Sequence, residues 1–225
     1  MSYITRSGDS RSGAYRLRTY GGALLLTCLI ALTALPAAAQ EPAPADAEAV
    51  QDTVVGNGTA ASCDGNALEA AVAAGGTVTF ACGAAPATIL ANTMVLDGVN
   101  TIIEGGGLVT ISGEGLRQIF IVNAGASLTL RDLTVSDGLW GGGGGAIDNS
   151  GTLLIQRSTL QDNTAETGGY GGAILNHAGS LTIEQSTLQS NTATGGGDGG
   201  ALALLGGTAT IKQSTFNGNL ATGSG

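Results

Sequence analysis

The chain has 225 residues, of which 39 are glycine, 43% are apolar and 11% are charged, with a formal net charge of −9. Glycine stands at more than twice its usual share of about 7%, and charge at less than half its usual share of about 25%. Glycine weakens helix interiors, which argues against a compact helical enzyme, and four prolines with no three-residue glycine period exclude collagen.

Residues 1–39 read as a signal peptide. Arg6, Arg11, Arg16 and Arg18 precede an apolar run, Gly21 to Leu35, and Ala37-Ala38-Ala39 supplies a small-residue cleavage site. The run falls short of the roughly 20 residues that span a bilayer as a helix, and Cys28 lacks the setting of a lipoprotein site. Four of the eight basic residues and one of the 17 acids leave with the leader, so the net charge moves to −12. Such a surface repels phosphate backbones and argues against nucleic-acid binding.

Residues 40–62 are rich in Ala, Pro and acids and read as a linker. Asn66, with Glu69 three residues on, has the form of a capping box, so a short helix is expected over 67–74, stopped by Gly75-Gly76. Val78 to Phe80 alternates like a strand. Cys63 and Cys82 remain in the exported chain, where a cysteine pair is expected to oxidise. A metal site is not expected there, since the one histidine, His177, lies far along the chain.

From about residue 78 onward the chain repeats. Segments beginning at Gly144, Gly171 and Gly199 align, and three triplets recur every 28 residues: Ile155, Ile183, Ile211; Ser158, Ser186, Ser214; and Asn163, Asn191, Asn219. Upstream, Ser127 to Leu130 followed by Leu133 to Val135 reads as the same unit without its asparagine. Thr101 to Ile103, Leu108 to Ile111 and Gln118 to Val122 read as one more turn of three short strands. Apolar residues alternate over a few positions and then break, as in short strands joined by turns. Units this short must stack to bury their apolar positions. The expected fold is all-β, a parallel β-helix of five to six coils over 63–225 with a short N-terminal helix as a cap. Asn163, Asn191 and Asn219 are expected to form an amide ladder, each donating to one neighbouring coil and accepting from the other. Ser158, Ser186 and Ser214 are expected at a similar inward turn position. The glycines before each Ala-Ile or Ala-Leu are expected at corners of unusual backbone geometry.

These residues resemble a known group. Gly-Gly-Ala-Ile at 144–147 and 171–174 and Gly-Gly-Ala-Leu at 199–202 are similar to the GGA-[ILV] motif of polymorphic outer membrane protein repeats. Phe216 to Asn219 matches the companion Phe-x-x-Asn motif, and Leu160 to Asn163 and Leu188 to Asn191 match it with leucine for phenylalanine. The region from Cys63 to Gly138 resembles the start of secreted bacterial right-handed parallel β-helix proteins of the pectin-lyase-like type. The resemblance implies export, surface exposure and adhesion or interaction, with a surface polysaccharide or another protein as partner. The last unit keeps Ile211, Ser214, Phe216 and Asn219 in register with no polar cap, so the chain is expected to continue past Gly225.

The pectin-lyase-like fold also hosts polysaccharide lyases and hydrolases, which is the alternative function. Those chemistries need paired carboxylates, a base, or calcium held by clustered acids. Arg131 and Arg157, 26 residues apart, are expected as near neighbours on one outer face, with Asp132 beside them. Asp137, Asp148 and Asp162 do not recur in register, and His177 has no second member for general-base chemistry. Trp140 and Tyr170 border glycine-rich turns, and packing over the turn is their expected role. The glycines around Asp198 lack the spacing of calcium-binding nonapeptides. No catalytic residue, metal or cofactor is therefore expected, and a structural or adhesion module is the leading reading.

Overall fold

The computed structural model describes residues 52–222. The expected signal peptide, residues 40–51 of the expected linker and the chain end at 223–225 lie outside the described residues. The rest of the expected linker does not behave as one. Thr53–Val55 is a strand paired in parallel with Gly76–Phe80, and Ala60–Ser62 forms a 3-10 turn. Alternation over Thr53-Val54-Val55 puts Val55 in the core, which is why the solenoid sheet begins here.

Helix α1 runs from Gly65 to Ala74. Its N-cap is Asp64, whose carboxylate accepts the Ala67 N–H at 2.9 Å, not Asn66 as the capping-box spacing suggests. Asn66 and Glu69 instead accept from the Asn92 side-chain amide at 3.3 and 3.0 Å. Leu68, Ala71 and Val72 are buried, and the helix packs on Thr53–Val55 and Met94–Leu96, closing one end of the solenoid. Gly75, with φ 76°, turns the chain out of the helix into the first full coil. A disulfide joins Cys63 to Cys82 with Cα atoms 5.6 Å apart, pinning the helix segment to the strand that follows it.

Six coils follow, and every strand pair is parallel. Sheet A holds Thr53–Val55, Gly76–Phe80, Asn100–Glu104, Ser127–Arg131, Thr152–Gln156, Ser180–Glu184 and Thr208–Lys212 in that spatial order. Sheet B holds Ala87–Leu90, Val109–Ser112, Thr134–Ser136, Thr159–Gln161, Thr187–Gln189 and Thr215–Asn217. Sheet C holds Met94–Leu96, Phe120–Val122, Ile147–Asn149, Ile174–Asn176 and Leu202–Leu204. Sheet D appears only from the third coil, with Leu139–Trp140, Thr164–Ala165, Thr192–Ala193 and Leu220–Ala221.

The core is a set of columns running along the coil axis. Leu128, Leu153 and Leu181 stack in register, as do Leu130, Ile155 and Ile183, all fully buried or nearly so. Each such side chain contributes about 1.5–3 kcal/mol on burial. No coil can realise that alone, because its columns need a neighbour above and below.

The corners carry two different solutions. The turn from sheet A to sheet B uses Asp132, Arg157, Gln185 and Gln213, all with φ near +50°. The turn leaving sheet B uses Asp137, Asp162, Ser190 and Gly218 in the same region. A non-glycine residue there costs about 1–2 kcal/mol. Only at the corner into sheet C do the expected glycines appear, Gly144, Gly171 and Gly199, with φ of 61°, 68° and 75°. A Cβ on Gly171 would press on the Ile174 backbone carbonyl, so glycine is required there on two counts.

Candidate functional site

At the corners on either side of sheet B, from the fourth coil onward, each left-handed residue is followed directly by an inward polar residue that bonds a neighbouring coil, whereas Leu133 and Gly138 follow Asp132 and Asp137. After Asp162 comes Asn163, and after Ser190 comes Asn191. Asn163 donates through its backbone N–H and Nδ2 to Asn191 Oδ1, at 3.1 and 2.9 Å. Asn191 donates in the same way to Asn219 Oδ1, at 3.0 and 2.9 Å. The lower end of the column is Gly138, whose N–H donates to Asn163 Oδ1 at 2.8 Å. A Cβ at Gly138 would crowd that oxygen and the Gly145 carbonyl. Asn163 and Asn191 are fully buried, and Asn219 in the last described coil is half-buried.

The serines sit at the other corner. The Leu133 N–H donates to Ser158 Oγ at 3.3 Å, the Ser158 N–H to Ser186 Oγ at 3.1 Å, and the Ser186 N–H to Ser214 Oγ at 3.1 Å. Each hydroxyl donates to the carbonyl two residues before it, at 2.7–2.9 Å. The two columns satisfy backbone groups that the corners would otherwise leave unpaired inside the core.

A second amide pair escapes the 28-residue offset. Asn149 and Asn176, 27 apart, are fully buried on sheet C, and Asn149 Nδ2 donates to Asn176 Oδ1 at 2.6 Å. Asn176 Nδ2 donates on to the Gly206 and Gly179 carbonyls at 2.8 and 3.0 Å. Aligning the Gly-Gly-Ala motifs by their first glycine would have found this pair. The next coil has Leu204 there and ends the column.

Three ion pairs join charged residues of the outer faces along the axis. Glu104, Arg131, Gln156, Glu184 and Lys212 occupy one register position of sheet A in five successive coils. Arg131 bonds Glu104 and, through Nε, Gln156 Oε1 at 2.9 Å. Gln156 Nε2 donates to Glu184 Oε2 at 3.1 Å, and Lys212 Nζ donates to Glu184 Oε1 at 3.1 Å. Arg157 forms a two-pronged pair with Asp132, at 2.8 and 2.6 Å. Arg131 and Arg157 thus lie on neighbouring coils with Asp132 between their charges, and each guanidinium turns to a different carboxylate. Arg117, the fourth cation, donates to Asn92 Oδ1 at 2.9 Å.

The titration directions follow these contacts. The Arg157 hydrogen bonds lower the Asp132 pKa from its ordinary value, and the same contact raises that of Arg157. Glu184 is lowered by its bonds from Gln156 and then Lys212. Asp148 moves the other way. Its carboxyl is half-buried between Ile121 and Leu175 in the register of sheet C, and desolvation pushes its pKa up. His177, exposed on the next coil, opposes that shift. The structure thus brings an acid near His177 that the sequence offset hides, but the pair makes no hydrogen bond.

Trp140 is half-exposed at the lower edge of sheet D, against Gly142, and Tyr170 is partly buried beside Gly143. A surface hollow of about 330 Å³, mostly apolar, lies near the disulfide and is lined by Thr79, Phe80, Cys82, Glu104 and Leu108 among others. Glu104 is its one titratable side chain and is already committed to Arg131. Among the described residues no group of three or more His, Cys, Asp or Glu is placed to share a metal ion. None of the described helices is long and apolar enough to cross a membrane. Comparison of the chain with protein families, curated proteins and solved structures finds no match.

Proposed function

We propose that this chain is a secreted or cell-surface β-helical module that serves as a scaffold for adhesion or interaction. The observation that carries the reading is that the basic side chains are all committed within the solenoid. Each of the four basic side chains in the described residues is bonded to a neighbouring coil. A polysaccharide-cleaving site needs an uncommitted cation or carboxylate pair aimed at a substrate, and here all four cations, with Glu104, Asp132 and Glu184, are spent on holding coils in register. The Cys63–Cys82 disulfide and the basic-apolar-small order of residues 1–39 support export. The Gly-Gly-Ala and Phe-x-x-Asn motifs support kinship with surface-exposed repeat proteins of the polymorphic outer membrane type.

The test is incubation of the purified chain with a panel of acidic and neutral polysaccharides. Retention on a surface polysaccharide or on intact cells, with no new chain ends, supports the module. Cleavage that disappears in Arg131→Ala or Arg157→Ala, with the circular dichroism spectrum unchanged, would replace it with the pectin-lyase-like enzyme reading.

A further inference from the structure

One outward row of sheet B is occupied by the same residue in every coil, while the row two residues on varies from Leu90 to Gln161, Gln189 and Asn217. Thr88, Thr110, Thr134, Thr159, Thr187 and Thr215 are mutual register partners across all six strands. The fold asks only for an outward residue at this position. The corresponding middle row of sheet A, by contrast, mixes Thr129, Leu154 and Thr182.

Two further observations single out the row. Threonine hydroxyls that bond within the described chain belong to Thr59, Thr93, Thr101, Thr194 and Thr222, and none of the six is among them. Charge is also absent from this face. No strand of sheet B contains Asp, Glu, Lys or Arg, although the chain carries a net charge of −9. At one border Asp132 and Arg157 neutralise each other. At the other, Asp137 accepts from Ser112 and Ser136, and Asp162 is exposed.

We infer that the outer face of sheet B is a binding surface for an ordered, uncharged lattice of water, the face of an ice crystal. The inference rests on the reading of the chain as an interaction module and names its partner. Five strand spacings of about 4.8 Å set the six hydroxyl and methyl groups over about 24 Å. That spacing is close to the repeat of oxygens along the a axes of hexagonal ice. A β-branched side chain has few χ1 states to lose. Each threonine also stands next to a buried residue, Ile89, Ile111, Val135, Leu160 or Leu188 in the first five coils. The asparagine and serine columns fix the later coils against slippage, so the array is ordered before it meets its partner. An uncharged face matches an uncharged lattice, whereas the ionic row of sheet A would hold its own hydration.

The experiment is ice-affinity partitioning and thermal hysteresis of the full chain. The expected result is enrichment in the ice fraction and faceted crystals. Thr159→Tyr, at the centre of the row, is expected to lower the hysteresis about tenfold, the scale of losing a central contact residue. Thr152→Tyr on sheet A should leave it unchanged. If Thr159→Tyr is misfolded by circular dichroism, Thr187→Tyr makes the same test one coil away. A folded wild-type chain excluded from ice overturns the inference, as does equal hysteresis in the sheet B variant. Exclusion from ice with retention on a polysaccharide also overturns it, while leaving the interaction module standing.

Discussion

Asn191 Oδ1 accepts both the backbone N–H and the side-chain amide of Asn163, so one oxygen holds two donors of the coil before it. Asn191→Ala strips both at a fully buried position. Each unsatisfied buried donor costs about 1–3 kcal/mol, so for two donors a loss of about 2–6 kcal/mol is expected. Urea unfolding will measure it. Asn219→Ala, in a coil that is only half-buried, should cost less; equal losses would mean that burial does not set the penalty.

The disulfide closes a loop of 19 residues around α1. Cys63→Ser with Cys82→Ser is expected to destabilise the chain by about 3 kcal/mol, the usual scale for a loop of this size. The check is thermal unfolding of the double variant beside the wild type with and without reductant. The reductant should move the wild type toward the variant and leave the variant where it is.

Asp132 and Glu184 are expected to titrate below ordinary carboxylates in a 13C-detected NMR titration. Their folded values are depressed, so the stability they contribute is fully present above the unfolded carboxylate range. It is lost as pH falls through the folded values, below about pH 4. Arg157→Ala should return Asp132 to an ordinary value and leave Glu184 alone.

Asp148 carries the opposite sign. Its folded pKa is raised, so any benefit of its neutral form is present below the unfolded value of about 3.9 and is lost as pH rises through the folded value. At neutral pH the charged, desolvated carboxylate is a burden. Asp148→Asn should therefore raise the melting temperature at pH 7, with the gain vanishing toward pH 3. A gain independent of pH would point to packing instead.

The solenoid is legible because stacking demands equivalence, and equivalence leaves a period. Ile155, Ile183 and Ile211 recur at 28 because they share one column of sheet A. What escapes is everything that depends on coils of other lengths. Arg157 meets Asp132 at an offset of 25, Arg131 meets Glu104 at 27, and Asn149 meets Asn176 at 27. One constant offset therefore hides the Glu104–Arg131–Gln156 half of the ionic row, the Arg157–Asp132 pair and the second amide pair. The helix cap is misread for a local reason. Asp64 and Asn66 are both good N-caps, and the choice fell to Asp64, with Asn66 left to bond Asn92 across 26 residues. The corners at Asp132 and Arg157 carry no glycine to announce them. Their left-handed backbone is held by the serine and backbone bonds that follow.

Trp140 is the single tryptophan of the chain, and it lies half-exposed at the edge where sheet D begins. Its fluorescence is thus a probe of the third coil and the glycine loop beside it. In a solenoid, stability is a sum of coil and nearest-neighbour terms, and distant coils can open separately. Opening of the helix-capped end or of the last coils would leave the emission spectrum untouched while circular dichroism declined. The gap between those two signals would measure how far cooperativity extends along the axis, with no added label.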